Sequence, residues 1–368
     1  MKDTDPKSIV FLLGRFAVGG VEKVTVSLAN EFVRRGWRVG VVAFDVMPDN
    51  MLGDLSSQVE VLQLSFPVWS VANYRLLSKF IRARKVDCVI NQWAAPFSVS
   101  AFIKLASPGK VKLLAVHHTE PGRNKVLQGA SGKVRRSLVR MALGLNTHLT
   151  YLLCDRYVVL SQSFIPIFKR FSGILSVRKL VAIPNPVELQ EVPNVEKEDA
   201  VLYVGRLEMT EKRVDRLIEV WRRMADRFPN WRLDIVGDGS ARKNLEELAG
   251  NLPRVTFHGF QKPEGFYAKA KILLLTSDFE GFGLVLVEAM IAGCVPMCLG
   301  SYASARDIVL PEYGRVLPMP FDADQFADEL SSLMCDPLRL AEMGRIAKKA
   351  SGRYSVSKIA DEYERIIS

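Results

Sequence analysis

A chain of 368 residues, 48% apolar and 24% charged, is longer than one hydrophobic core usually grows, so two domains of roughly 150–200 residues are expected. No run approaches the ~20 apolar residues that span a bilayer, and the charged start MKDTDPKS leads directly into a short strand, which argues against a signal sequence and for the cytosol. Net charge is +10, but residues 1–186 carry +15 (26 basic, 11 acidic) and residues 187–368 carry −5 (24 basic, 29 acidic), so the halves suit different partners. Five cysteines, Cys88, Cys154, Cys294, Cys298 and Cys335, lie mostly in apolar runs without a C-x-x-C pair, which reads as reduced core residues and argues against disulfides or a zinc site.

In the first half, strand-like runs at 8–14, 37–44, 59–64, 86–91, 111–117, 156–161 and 179–184 alternate with helical patterns. After the first strand, Gly19 and Gly20 open a helix whose apolar face includes Val24, Leu28, Ala29 and Phe32. Adjacent glycines let a backbone or a phosphate approach closely. The spacing is not G-x-G-x-x-G, which disfavours a dinucleotide site and a nicotinamide-dependent oxidoreductase. His117 and His118 end the fifth run; neighbours at a strand end point to opposite faces and no third ligand suggests itself, so metal binding is disfavoured. Between Asn73 and Lys179 there are 19 basic and 3 acidic residues, and 123–140 holds six basic residues and no acid. The stretches 74–85 and 133–153 combine cationic and apolar positions, as on a helix lying on an anionic bilayer or as a core helix with a solvated basic face. No aromatic residues interleave with these charges in the manner of a nucleic-acid surface, so nucleic acid is not expected as a partner.

Residues 183–199, with three prolines and several charges, break the rhythm and read as a linker. Strand-like runs resume at 200–205, 233–237, 255–259, 272–276 and 294–299, and Leu217, Ile218, Trp221, Met224 and Ala225 form a core stripe at helical spacing. The alternation throughout predicts an α/β protein of two Rossmann-like, doubly wound parallel-sheet domains facing a central cleft. Arg206, just after a strand, and Lys212, before a helix, are two long cations able to neutralise a diphosphate and stabilise it as a leaving group. The turn VGDGS at 236–240 reads as backbone geometry near a ligand or, through Asp238, as a helix cap. Residues 272–293 then give a buried strand, a glycine-broken loop carrying Glu280, and a helix carrying Glu288. Gly281 and Gly283 permit close backbone approach, and the free amides of the following helix favour an anion. Carboxylates beside such a cradle are suited to hydroxyls, as on ribose or a pyranose. The pair Asp322 and Asp324, where a manganese site could be sought, is explained better by helix capping, and with Arg206 and Lys212 present no metal and no cofactor is expected.

The segment EGFGLVLVEAMIAGCVP resembles the E-x7-E segment of the retaining glycosyltransferases of family 4, and the layout resembles their GT-B fold over the full length. The resemblance implies that Glu280 meets the donor sugar, that Glu288 meets the ribose, and that Gly281, Phe282, Gly283 and Leu284 contact the donor. G-G-x-E resembles the family's amino-terminal loop, with Gly19 and Gly20 closing onto the donor. VGRLEMTEKRVD resembles the segment that supplies Arg206 and Lys212, although Arg213 stands where a glycine often follows the lysine, and Gly237 matches a family turn near the nucleotide. The cleft histidine would be His118, with His117 the alternative. The family further implies an acceptor-binding domain at 1–186, with 353–368 crossing back to it, and a nucleotide-sugar-binding domain at 187–352, a nucleotide-sugar donor, commonly UDP-linked, and a lipid-linked, lipopolysaccharide or capsule glycan as acceptor. It implies front-face transfer at the cytoplasmic face of an inner membrane, because no carboxylate is placed as a nucleophile. A GT-B sugar-nucleotide epimerase is the nearest alternative.

Overall fold

The computed structural model describes residues 7–17, 19–48, 50–93, 97–107, 111–123, 132–188 and 192–368. Of the basic stretch 123–140, residues 124–131 therefore lie outside the described residues. The chain divides into two compact units, residues 1–186 with 356–368, and residues 187–355.

The first unit is built on strands β1 (Ser8–Leu13), β2 (Arg38–Ala43), β3 (Glu60–Gln63), β4 (Cys88–Asn91), β5 (Lys112–His117), β6 (Arg156–Val159) and β7 (Leu180–Ala182). They form one parallel sheet in the order β3-β2-β1-β4-β5-β6-β7. All six residues of β1 are buried, from Ser8 through Leu13, because helices cover both faces of such a sheet; that is why the strand reads as a continuous apolar run without alternation. The chain's last helix, Val356–Ile367, belongs to this unit and packs on the helix Gly20–Arg34. Arg35, just past that first helix, holds the junction: its guanidinium donates to Asp361 at 2.7 Å and to the Ser357 carbonyl at 2.6 Å.

The second unit has β8 (Glu198–Val204), β9 (Arg232–Val236), β10 (Val255–Gly259), β11 (Ala270–Leu275), β12 (Val295–Leu299) and β13 (Arg315–Leu317), all parallel in the order β10-β9-β8-β11-β12-β13. Both sheets are doubly wound, as the alternation of strands and helices predicted, and in both the order of strand addition reverses after the third strand, with β4 and β11 returning to the far side of β1 and β8. The twelve expected strands are present within about two residues of their expected limits; β13, three residues long, is the addition. Because every strand of the second sheet points the same way, the loops after β8, β9, β10 and β11 all emerge at its carboxyl edge.

Candidate active site

Arg206 and Lys212 both lie in the loop after β8. Its opening is fixed by backbone pairing with the turn after β9: Gly205 N donates to Val236 O at 3.0 Å and Leu207 N to Asp238 O at 3.0 Å. The approach is so close that a Cβ on Gly237, whose φ is +135°, would sit 1.9 Å from Gly205 O. Asp238 does not cap the next helix; it accepts from Gly239 N at 2.7 Å and from Arg242 at 3.1 Å, which stiffens the turn.

The end of the same loop is tied to the one after β11. Asp278 N donates to Glu211 O at 2.8 Å, and Thr276 Oγ1 donates to Arg213 O at 2.9 Å. These ties bring Lys212 to Glu280, where Nζ donates to both carboxylate oxygens at 2.7 Å. Ser277 Oγ adds a third bond to Glu280 at 2.8 Å, and the glutamate is only 7% exposed. Arg206 pairs with Glu208 at 2.7 Å and Glu211 at 3.3 Å while remaining more than half exposed, a surface arrangement that yields easily to a better anion. Arg206 with its two glutamates, and Lys212 with Glu280, thus form two separate ion-pair clusters on loops tied together at the carboxyl edge.

Arg213 adopts the left-handed conformation that glycine tolerates, with φ 48° and ψ 49°. Its guanidinium is held on Asp215 at 2.8 Å and on Asp278 at 3.3 Å, and Arg216 meets the other oxygen of Asp278 at 2.5 Å. The loop therefore keeps its glycine-like path through side-chain pairing.

Gly283, with φ 94°, caps the helix Leu284–Ile291. Gly281 and Leu284 are partly exposed at its start. The Phe282 ring is buried against Tyr354, centroids 5.9 Å apart, and its carbonyl accepts from Ser304 Oγ at 3.1 Å, so its side chain packs in the core. Glu288 is buried on that helix and accepts from the Tyr267 hydroxyl at 2.8 Å, a partner of the kind a sugar hydroxyl would also be. Asp322 caps the helix Ala323–Met334, accepting from the amides of Asp324 and Gln325, while Asp324 pairs with Arg223 at 2.6 Å. Among the described residues, no three His, Cys, Asp or Glu side chains gather as a metal site.

A cavity of about 360 Å³ opens beside Arg206, walled by Gly205, Gly237, Asp238, Phe260, Lys262 and Pro263. Phe260 and Lys262 escaped the sequence reading; the available signal was the segment Phe260-Gln261-Lys262 directly after β10.

His118, Gly19 and Gly20 belong to the first unit. His117 hydrogen-bonds the Tyr157 hydroxyl through Nδ1 at 3.0 Å and lies edge-on to Phe168, a core arrangement. His118 Nε2 meets Gln92 Oε1 at 2.6 Å, leaving its Nδ1 buried without a partner. Burial pushes the pKa of His117 down to about 4; burial, with His117 as neighbour, pushes that of His118 down to about 3, so both rings are neutral near pH 7. Of the two, His118 has the free acceptor. Gly19 is the cap of the helix Gly20–Arg34, and the carboxylate of Glu22 folds back over it, 2.5 Å from where a Cβ would lie.

The two doubly wound sheets, with cations and a buried carboxylate at the second sheet's carboxyl edge, define the GT-B glycosyltransferase class. WaaB, a lipopolysaccharide outer core galactosyltransferase, superposes with a TM-score of 0.72 over 98% of this chain and 99% of its own, at 21% identity. Anabaena HepE, solved with UDP and glucose, does so at 0.73 over 98% of each chain, at 20% identity. Sequence profiles agree along nearly the whole length, Glycosyltransferase Family 4 over residues 18–191 and Glycosyl transferases group 1 over 186–350. A Campylobacter jejuni α-1,4-N-acetyl-D-galactosaminyltransferase that acts on a diphospho-undecaprenol-linked glycan is 24% identical over 98% of both chains. The chain belongs to the glycosyltransferases of group 1 and family 4. The epimerase and oxidoreductase alternatives are not supported.

Proposed function

We propose that this glycosyltransferase moves a hexose or N-acetylhexosamine from a UDP-sugar to a lipid-linked, lipopolysaccharide or capsule glycan, with retention of configuration and without a metal. The observation that carries the reading is the pairing of Lys212 with buried Glu280, with Arg206 held by Glu208 and Glu211 on the same loop of the carboxyl edge. The resting pairs are self-neutralised. A diphosphate would take over the cations and free Glu280 to accept from hydroxyls, which places charge stabilisation where the leaving group forms. Fixed cations then do the work a divalent ion would do. The cavity beside Arg206 has the size for a nucleobase and ribose, with Phe260 as a stacking surface. Glu288 serves the ribose, and neutral His118, in the first unit, keeps a ring nitrogen for a sugar hydroxyl. With Glu280 committed to hydroxyls, no carboxylate is assigned as a nucleophile, so transfer proceeds on the donor's front face. The UDP seen with HepE and the glycan acceptors named for WaaB and the Campylobacter enzyme support the choice of substrates.

No helix among the described residues is long and apolar enough to cross a membrane. The helix Lys133–Leu153, however, exposes Val134, Leu138, Met141 and Leu145 in a stripe flanked by exposed Lys133, Arg135, Arg136 and Arg140. We assign this face to an anionic bilayer at the cytoplasmic side of an inner membrane, where a lipid-linked acceptor would be presented. Calorimetry with UDP-, GDP- and ADP-sugars tests the donor reading: at least one UDP-sugar should bind, and Arg206→Ala should weaken it at least tenfold. Glu280→Gln should abolish turnover while the fold persists. No heat with any nucleotide-sugar, or full turnover in both variants, would overturn the proposal.

A further inference from the structure

The first unit contains a second cavity, of about 470 Å³, at the carboxyl ends of β1 and β4. Its walls include Gly14, Arg15, Glu22, Phe66, Gln92 and Trp93. The Trp93 indole is seated on Gly14, where a Cβ would come within 2.6–3.0 Å of three ring atoms, and the Phe66 ring stands edge-on to it at 6.3 Å and 87°. Gln92 is 4% exposed, and with Oε1 given to His118 its Nε2 is buried without a partner. Exchanging the two amide atoms changes which is orphaned and leaves the vacancy in place. An orphaned amide on a cavity wall calls for a hydroxyl or a carbonyl.

The charges tell which class of ligand fits. The carboxylate of Glu22 folds back beside Gly19 at the start of the helix Gly20–Arg34 and lines this cavity, so a phosphate there would be repelled. Among the described residues the one wall cation is Arg15, paired with Asp45 at 3.3 Å. Aromatic faces attract the C–H face of a pyranose, while an amide and a carboxylate serve its hydroxyls. We propose that this cavity is a saccharide subsite that stacks an uncharged pyranose of the acceptor glycan on Trp93 and Phe66, with Gln92 and Glu22 bonding its hydroxyls. The inference rests on the glycosyl-transfer reading and adds that the acceptor is recognised through a sugar ring, with its lipid or phosphate portion held elsewhere.

Saturation-transfer NMR on the whole chain tests it, using methyl glycosides of glucose, galactose, N-acetylglucosamine and N-acetylgalactosamine without donor. At least one glycoside should receive saturation from aromatic protons on one face of its ring. Trp93→Ala should weaken its binding at least about tenfold, with Trp93→Phe recovering most of the loss, and Gln92→Leu should weaken it severalfold. Phe66 is 55% exposed, so Phe66→Ala gives a variant whose folding is little at risk and should also weaken the signal. UDP-sugar affinity is measured in the same samples. Nucleotide-sugar binding with no glycoside signal, or a signal untouched by all four substitutions, overturns the subsite and leaves the donor reading standing. Loss of both overturns the transfer reading and the subsite with it.

Discussion

The two carboxyl edges are provisioned in opposite ways. In the second unit the cations after β8 are paired before any ligand arrives: Lys212 holds Glu280 twice, Arg206 holds two glutamates, and Arg213 and Arg216 share Asp278. In the first unit the edge carries aromatic rings and leaves two buried polar atoms, Gln92 Nε2 and His118 Nδ1, unpartnered. A site that must grip and then release a dianion gains from internal counter-charges that take the cations back afterwards. A site for neutral hydroxyls gains from directional vacancies that only the right ligand fills. One edge is thus built for exchange of charge and the other for shape.

The largest expected break in this contrast comes from Lys212→Ala. It should lower kcat by about 10²–10³-fold, and it should destabilise the second unit by about 3 kcal/mol because Glu280 keeps its buried charge. Combining it with Glu280→Gln should return most of the stability in denaturant titrations and none of the turnover. If the double variant recovered turnover, the pair would be structural only. Next in size is Gly237→Ala, where the clash with Gly205 O and the positive φ together should cost about 3 kcal/mol or more and weaken nucleotide-sugar binding; a wild-type melting curve would show that the loop pairing is not what holds Arg206.

On the first unit's side, the depressed histidines give a pH signature. Their neutral forms are favoured by folding, so their contribution is fully present above the ordinary value of 6.5 and is lost as pH falls toward about 4 for His117 and 3 for His118. Unfolding free energy should decline through this window by up to about 1.4 kcal/mol per pH unit for each ring, and His117→Gln should flatten part of the decline. A slope unchanged by the substitution would assign the effect to other groups. The smallest effect is expected from Arg213→Gly, which removes a left-handed side chain worth about 1–2 kcal/mol of strain and forfeits its pairs with Asp215 and Asp278. The two terms nearly cancel, so stability should change by less than about 1 kcal/mol while the loop's mobility, read by hydrogen exchange at residues 211–214, should rise.

Much of the fold was legible because buried parallel strands are apolar without interruption, as in SIVFLL and ILLL, and need no alternation to be seen. β13 was not, because Arg315–Leu317 is too short to show a pattern and is defined by its pairing with Met297–Leu299. At the site, residue identity and spacing alone left Arg206, Lys212 and Glu280 open between surface charge and ligand groups, and the resemblance of VGRLEMTEKRVD and EGFGLVLVEAMIAGCVP to family 4 segments is what singled them out. Direction was the harder matter. Nothing in FEGFGL shows that Phe282 turns inward onto Tyr354, a residue 72 positions away in sequence. Gln92, Trp93 and Phe260 were missed for a related reason: each is a single residue at a strand's end, and only the walls contributed by distant segments make it part of a cavity.

The placement of Val356–Ile367 has a consequence for biosynthesis. Because that helix completes the first unit, a ribosome must finish the whole second unit before the opening sheet can receive its final covering element. Until then the side of Gly20–Arg34 that meets Val356–Ile367 waits uncovered, so a nascent chain stalled before Arg35 meets Asp361 is the stage at which chaperones should bind it best, and removing those last residues should cripple the half that was made first.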